Sequence, residues 1–516
     1  MRPKSHITVP PAPEHPNRKF MVFYQPNTEH SFKVHVHNNC RCNEYIALRN
    51  RVLMEVPRAE PTTLAYCRTL ARLISDWLPR HTKADGEWIE AYSGKKKRKY
   101  LRAQQSLTVQ PIRRADSYVS AFIKPEKIEL LKDPRMIQAR GARYNYALAN
   151  YLKPIEHALY NLSGTGRLKK WLPPGRLIAK GLCQRRRAAL MRKKWERFKR
   201  PVCISLDASR FDAHVTDMLA IEHLIYKRYY KDPYLDRLLA WQVKNRGFTH
   251  TGLRYRCEAG RMSGDMNTAL GNCVISIIMI AVIMHRARIR HWDVLCDGDD
   301  VLLFVEDGQP LPDLRTEYLK FGFDIKIENE ARDFYEVKFC QSGPCETADG
   351  LKMVAIPRRV LARTLVGTKH WNEPKFVQKY LSLIGYCELA LNQGVPVLQD
   401  FALMILSWGK GFPDKWLQSG RILKALREER SIREVHPRPI SIDARLSFER
   451  AFGISVLEQR VLEAVFSQLS NWHATKEVAS QIEGPAASPS AKGCNCWFCK
   501  QVKPQQGYLQ ALARSG

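Results

Sequence analysis

Two short apolar runs, each closed by aspartate, constrain this chain more than any other feature. Val202–Leu206 is a continuous apolar stretch followed at once by Asp207, and Val294–Cys296 and Val301–Val305 flank Asp297-Gly298-Asp299-Asp300. Runs of this length suit buried strands, and Asp-Gly between two of them signals a tight hairpin. Asp299 and Asp300 are expected in that turn. A lone Asp-Gly-Asp-Asp would say little, because surface hairpins use such residues routinely. Two apolar strands that both end in aspartate say more. Carboxylates at adjacent strand ends repel one another unless a proton or a cation intervenes. Hard oxygen ligands on a rigid sheet suit Mg²⁺, or Mn²⁺ in its place. Two such ions about 4 Å apart can clamp the attacking and leaving oxygens of a phosphoryl transfer.

Between these strands lies Gly260-Arg261-Met262-Ser263-Gly264-Asp265-Met266-Asn267-Thr268, a glycine-containing loop that leads into the apolar stretch Ala269–Met284. Ser263-Gly264 permits close backbone approach to a phosphate or sugar. Thr268 and Asn272 are four residues apart, so on a helix they share a face. Polar groups on an otherwise apolar helix need partners: a hydrogen bond within the core on the plain reading, a ribose hydroxyl on the functional one. A third element is the basic stretch Lys124 to Arg143. A triphosphate needs several cations at close range, Arg as a planar fork and Lys as a point charge.

Composition supports a polyanionic partner. The 516 residues carry 83 basic against 51 acidic side chains, a net charge of +32, which suits affinity driven by counterion release from phosphates. With 45% hydrophobic residues the chain can bury a sizeable core, which excludes a disordered chain. Most of the 14 cysteines sit singly in apolar stretches, as small buried hydrophobes in a reducing compartment rather than a disulfide framework. No signal-peptide pattern opens the chain. The longest apolar run, Cys273 to Met284, is short of the ~20 residues that span a bilayer and reads as a buried helix.

Periodicity gives the coarse layout. Residues 1–20 are proline-rich and expected to be extended or disordered. Helices are expected over Leu64–Leu78, Tyr144–Leu159, Arg185–Arg200 and Asp217–Tyr230. A strand is expected over Tyr118–Ile123, followed by a loop carrying Lys132, Arg135, Arg140 and Arg143. A hairpin is expected over Phe248–Cys257 with Gly252 in its turn. The run Lys95–Lys99 reads as a solvated face ahead of an RNA contact. After Cys345 the pattern is mainly helical, to about Gln481, and Gly484–Gly493 reads as a flexible linker.

The stretches SAFIKPEKIELLKDPRMIQARGARYNYALANYLKPIEHALY, LDASRFDAHV, GRMSGDMNTALGN, CDGDDVLLF and FYEVKFCQSGP, in this order from about Val119 to Pro344, cover nearly half the chain. Together they resemble the RNA-dependent RNA polymerases of positive-strand RNA viruses, most closely the tombusvirus (carmovirus-like) family. The resemblance implies an α+β right hand of fingers, palm and thumb, with an antiparallel-sheet palm and a mainly helical thumb. The expected divisions are an N-terminal extension and fingers over 21–200, a palm with a fingers insertion over 201–345, a thumb over 346–482 and a flexible tail over 483–516.

It also implies residue roles. Asp207 and Asp299 would ligate two Mg²⁺ or Mn²⁺ ions, with Asp300 assisting. Asp212, Asn272 and Thr268 would recognise the ribose 2′-hydroxyl, which distinguishes RNA from DNA. Ser263 and Gly264 would sit in the loop that holds template and incoming nucleotide. Lys124 and Arg135 would contact the triphosphate, joined by Lys127 and Arg140. Lys326 is a candidate proton donor to pyrophosphate, set against its reading as a surface lysine on an edge strand. Phe339-Cys340-Gln341-Ser342 would grip the primer or product strand. Implied partners are single-stranded RNA template, product RNA, NTPs and a membrane-anchored viral replication protein. The implied location is the host cytoplasm, at membrane-associated replication complexes.

Other readings make distinct demands. A reverse transcriptase would share the palm but make DNA, and Asp212, Thr268 and Asn272 argue for ribonucleotides. A silent RNA-binding subunit has no need of all three metal carboxylates. A basic structural protein would show short regular strands and no ordered carboxylate set. Cys494, Cys496 and Cys499 offer three thiols for Zn²⁺ without an evident fourth ligand nearby, so exposed thiols on a tail is the favoured reading.

Overall fold

The computed structural model describes residues 6–8, 21–129, 132–367, 374–411 and 435–471. Its centre is an antiparallel four-stranded sheet in the order β10 (Trp292–Asp297), β11 (Asp300–Glu306), β7 (Pro201–Ala208), β12 (Ile325–Ala331). The apolar runs become strands buried on both faces, and side-chain alternation sorts each run between two layers. Val202, Ile204, Leu206, Val294, Cys296, Val301, Leu303 and Val305 join the largest core. Cys203, Leu295, Leu302 and Phe304 face the other way, against Trp195, Phe334, Phe339 and Met353.

The first layer is helical. Thr268–Arg286 is buried continuously from Leu270 to Met284 and packs with Pro61–Trp77, Ala142–Tyr160 and Asp217–Tyr230. By length and composition this helix could cross a membrane, yet 83% of its most apolar window is buried inside the fold. A helix that is apolar all round belongs in a core when protein surrounds it.

A second sheet runs β1 (His6–Thr8), β9 (Arg254–Glu258), β8 (Lys244–Thr249), β4 (Val119–Ile123), β6 (Met136–Arg140). All its pairings are antiparallel except β4 with β8. Ala47, Leu48, Val52 and Leu53 cover one face of it, against Val119, Ala121, Ile123, Tyr255 and Cys257. Among the described residues three two-stranded sheets complete the set: β13 (Ser342–Cys345) with β14 (Lys352–Ala355), β15 (Val366–Gly367) with β2 (Met21–Val22), and β3 (Val34–His35) with β5 (Ile128–Glu129). Helices Pro374–Asn392, Leu398–Trp408, Ile442–Phe452 and Val456–Asn471 build a further core around Phe401, Ile405 and Phe448.

Most expected elements are present. The helix expected over Arg185–Arg200 spans Gln184–Trp195, and Lys95–Lys99 lies on the helix Gly94–Val109, whose lysines 95, 96 and 99 are exposed. Two readings change. The basic loop after Ile123 is a hairpin, with Arg140 inside β6 and Arg143 in the following helix. The stretch after Cys345 is mainly helical but also carries strands β14 and β15, on either side of the helix Pro357–Arg363. Most of residues 1–20, the Gly484–Gly493 linker and the thiols Cys494, Cys496 and Cys499 fall outside the described residues.

Candidate active site

The aspartates meet through strand register. Asp207 is the cross-strand partner of Asp300 on one side and of Lys326 on the other, and Asp297 pairs with Asp300 across the hairpin. Gly298 and Asp299 therefore make a two-residue turn, with Gly298 in the left-handed region at φ 82°. A two-residue turn with glycine first and only that residue at positive φ is one of the two tight hairpin turns, although the sequence signal lay in the preceding Asp297-Gly298 pair. Asp300 is the first residue of β11 rather than a turn residue. Asp299 is exposed at the tip, while Asp207 and Asp300 are half-buried.

The electrostatics show crowded negative charge. Burial raises the Asp300 carboxyl to about 6, and Asp299 and Asp207 push it the same way. Asp207 is also raised, by burial and then Asp299, with Lys326 pulling it back. Two half-buried carboxylates raised by burial and by the neighbouring Asp299 are the donor chemistry a divalent cation satisfies. Among the described residues, the carboxylate and imidazole groups already gathered within 4.8 Å are those of Glu29, His30 and Glu458. Asp297 is neutralised by Lys180 and by Arg187, whose Nη2 lies 2.6 Å from its carboxylate. The turn at Cys340 and Gln341 closes the same face, with both residues at positive φ, 51° and 60°. The Cys340 side chain on it opposes the upward shift of Asp300.

Asp212 stands beside this centre, at the end of a chain of buried polar groups. Asn272 Nδ2 donates to Asp212 Oδ1 at 3.0 Å, and Arg261 Nε donates to Asn272 Oδ1 at 2.9 Å. The Arg261 guanidinium is wholly buried and ion-pairs with Glu222, itself wholly buried. Asn267 Nδ2 and Tyr226 Oη donate to the other Glu222 oxygen at 2.6 and 3.0 Å. Gln242 and His223 extend the chain at 2.8 and 2.9 Å. Gly271 is required here: a Cβ would lie 2.3 Å from Glu222 Oε1 and 2.4 Å from Arg261 Nη2. Burial raises Asp212, while the Asn272 amide and Arg261 oppose that shift. Thr268 is on the same helix, but its hydroxyl donates to the Met262 carbonyl at 2.8 Å, closing the loop.

The Ser263-Gly264 loop is bound to β6. The Gln138 N–H donates to Ser263 Oγ at 2.9 Å, and the Gly264 N–H donates to the Gln138 carbonyl at 2.8 Å. A Cβ at Gly264 would lie 2.5 Å from that carbonyl oxygen. The glycine thus serves the approach of loop to strand.

The basic residues divide. Lys124 and Arg135 are partly exposed and share Glu126, at 2.8 and 3.6 Å. Lys127 Nζ donates to the Arg363 carbonyl. Arg140 does not join the open cluster. It is 3% exposed, ion-paired with Asp265, and donates to the Ser117 carbonyl and to Asn245 Oδ1, both at 2.6 Å. Strand alternation turns it inward with Met136 and Gln138. Its expected triphosphate contact is replaced by a structural role, anchoring the loop through Asp265. Two arginines that the sequence reading passed over stand near Arg135 instead. Burial lowers the Arg51 pKa, and the charges of Arg135 and Arg210 lower it further. Among the described residues the buried Arg51 Nε has no hydrogen-bond partner, and Arg210 takes the left-handed conformation at φ 50°. Glu222, Arg261, Asn267, Lys180 and Arg187 were also missed. Only Arg261 and Asn267, inside the glycine-containing loop stretch, carried a sequence signal.

The model of the family described as viral RNA dependent RNA polymerase matches residues 7–473. The chain belongs to that viral polymerase family. The RNA-directed RNA polymerase of Groundnut rosette virus (strain MC1) is 33% identical over 456 residues, 84% of this chain and 52% of the relative. That of Turnip crinkle virus is 31% identical over 84% of this chain and 58% of its own length. That of Carnation mottle virus is 32% identical over 88% and 61%. This polymerase-family chain thus spans little more than half the length of these curated relatives.

Proposed function

We propose that this chain copies a single-stranded RNA template into RNA from NTPs, as part of the replication of a positive-strand viral genome. The observation that carries the reading is the register of β7 against β11. It sets Asp207 opposite Asp300 with Asp299 at the adjoining turn, in a chain of the viral polymerase family. In this reading the sheet β10-β11-β7-β12 is the palm, the second sheet with its covering helices belongs to the fingers, and the helices after Pro374 form the thumb.

The reaction joins a 3′-hydroxyl oxygen to the α-phosphorus of an NTP and breaks the bond to the β-phosphate oxygen, releasing pyrophosphate. Asp207, Asp299 and Asp300 are the residues that would hold two divalent ions. When bound, these ions would acidify the attacking hydroxyl and offset charge on the phosphates. Asp212 and Asn272 accept and donate to the ribose 2′-hydroxyl, held in place by Arg261 and Glu222. Lys124, Arg135, Arg210 and Arg51 form the cationic side of the site and orient the triphosphate. Lys326, exposed on edge strand β12, acts through its charge on Asp207. Base choice comes from template pairing, so the protein needs shape and backbone contacts more than base readout. The likeness to the tombusvirus group supports a membrane-anchored viral partner and a site of action at cytoplasmic replication complexes.

Homopolymer templates test the reading. With Mg²⁺ or Mn²⁺, each single-stranded RNA template should direct incorporation of its complementary NTP alone, and a chelator should abolish it. Preference for dNTPs would make the enzyme a reverse transcriptase. Incorporation independent of template sequence would remove templated copying.

A further inference from the structure

The Gly298-Asp299 turn is held from two sides by groups other than the three candidate ligands. On one side is the apolar helix Thr268–Arg286. The Gly298 N–H donates to Cys273 Sγ at 3.0 Å, and the Ser276 hydroxyl donates to the Gly298 carbonyl at 2.8 Å. Cys273 and Ser276 are buried, so this peptide is fixed at its donor and at its acceptor. On the other side is Asp297, the last residue of β10. Its side chain is 9% exposed and carries one cation on each oxygen, Lys180 on Oδ1 and Arg187 on Oδ2.

The two cations arrive by different routes. Residues 177–179 lie along the edge strand β10: the Ala179 N–H donates to the Cys296 carbonyl at 2.8 Å, and the Cys296 N–H to the Leu177 carbonyl at 2.9 Å. That contact brings Lys180 to the end of β10. Arg187 comes from the helix Gln184–Trp195, which buries Ala188, Met191 and Trp195 in the layer beneath the sheet. Its guanidinium also lies over the Phe339 ring, 5.4 Å from the centre. Phe339 opens the turn of Cys340 and Gln341, closed by reciprocal backbone hydrogen bonds between Phe339 and Ser342 at 2.8 and 3.0 Å. One side chain therefore touches both the hairpin that carries Asp299 and the turn that closes the same face. Lys180 is the more exposed and ends in a point charge, whereas Arg187 presents a planar fork held against a ring.

We propose that Arg187 is a positioning residue for the metal centre: through Asp297 it sets how the β10–β11 turn presents the Asp299 carboxylate, and through Phe339 it keeps the Cys340 turn in place against that hairpin. Partners that orient a metal ligand cost about 10–100-fold in metal affinity or activity when they are removed. Charge alone predicts the opposite. Arg187 is a cation beside a cation site, so its removal should strengthen ion binding if it acts only through the field. The sign of the effect therefore separates positioning from electrostatics. This role rests on the polymerase reading for the reaction it serves, but ion binding tests it without turnover.

Mn²⁺ alone would be titrated into the full chain, and the free ion followed by its electron paramagnetic resonance. The proteins compared are the wild type, Arg187→Gln, Arg187→Lys and the double variant Arg187→Gln/Asp297→Asn. Arg187→Gln should bind Mn²⁺ about 10-fold more weakly. Arg187→Lys keeps the charge without the stacked fork and should fall between that variant and the wild type. The double variant keeps the net charge and removes both partners of the ion pair, so it should melt close to the wild type and still bind about 10-fold more weakly. In RNA synthesis, the Mg²⁺ concentration for half-maximal incorporation should rise by the same factor, while NTP-over-dNTP selectivity, assigned to Asp212 and Asn272, stays at the wild-type value. Tighter or unchanged Mn²⁺ binding in Arg187→Gln, or wild-type binding in the double variant, would overturn the proposal. So would selectivity that falls in step with ion affinity, because Arg187 would then merely hold the fold together. A wild type that makes no RNA, but whose Mn²⁺ affinity falls in the variants as stated, would count against the polymerase reading and support the positioning role.

Discussion

Gly271→Ala is the smallest change that tests the buried chain behind Asp212. In an ordinary helix interior this substitution gains about 1 kcal/mol, because alanine loses less backbone entropy on folding. Here the added methyl would sit 2.3 Å from Glu222 Oε1 and 2.4 Å from Arg261 Nη2. Ordinary contact needs roughly 1 Å more, and both neighbours are wholly buried and hydrogen-bonded. Overpacking costs about 1–3 kcal/mol. Separating the Glu222–Arg261 pair in its buried setting adds part of the about 3–5 kcal/mol that a broken buried ion pair costs. The net expectation is destabilisation by about 1–4 kcal/mol, opposite in sign to the helix-propensity effect. Thermal and urea unfolding would measure it. Glu222→Ala combined with Gly271→Ala should cost less than the sum of the two single changes, since removing the carboxylate makes room for the methyl. Because Asn272 is the next residue and bonds both Arg261 and Asp212, selectivity for NTP over dNTP should fall in Gly271→Ala. A variant as stable as wild type, or more so, would refute the packing argument.

Further outcomes follow from other buried groups. Asn272→Ala removes a hydrogen bond to a carboxylate, a class worth about 1.5–3 kcal/mol, so NTP-over-dNTP discrimination should drop about 10-fold or more in steady-state kcat/KM. Asp293 is 1% exposed and holds the equally buried Lys194 at 2.7 Å, with Arg197 beside it. Asp293→Ala strands a buried ammonium and should cost about 3–5 kcal/mol in chemical denaturation. Burial depresses His223 from its usual 6.5 to about 4, despite the nearby Glu222. The unfolded chain then takes up a proton below pH 6.5 that the folded chain refuses. The stability His223 confers is complete above about pH 7 and is lost as pH falls toward 4, by about 3 kcal/mol in all. His223→Gln should flatten that part of the stability profile, which urea titrations across this range would detect.

How much of this was legible in the sequence depended on how local each signal was. The hairpin at Gly298-Asp299 is written in adjacent residues, as is the apolar helix that ends at Arg286, so both emerged from pattern alone. Arg140 was misjudged for the opposite reason. Its charge suggested a phosphate, but strand alternation from Met136 turns it inward, and its partners Asp265 and Asn245 are more than 100 residues away. Glu222 looks like any charged residue on an amphipathic helix, and only packing against Gly271 and Arg261 marks it. The pairing of Met21–Val22 with Val366–Gly367 joins segments hundreds of residues apart and leaves no local trace. Arg51 is likewise distant in sequence from Arg135 and Arg210, so their convergence appears only in the fold.

Asp299 offers the most direct test of the centre as a whole. It is exposed at the tip of a turn, so Asp299→Ala should melt with the wild type and change little but the chemistry. Both proteins would be given single-stranded RNA, all four NTPs and Mg²⁺ or Mn²⁺, and template-directed product would be quantified. Product from the wild type that disappears in the variant is the expected result. Equal product from both would mean that the carboxylates of β7 and the β10–β11 turn are not where the RNA is made.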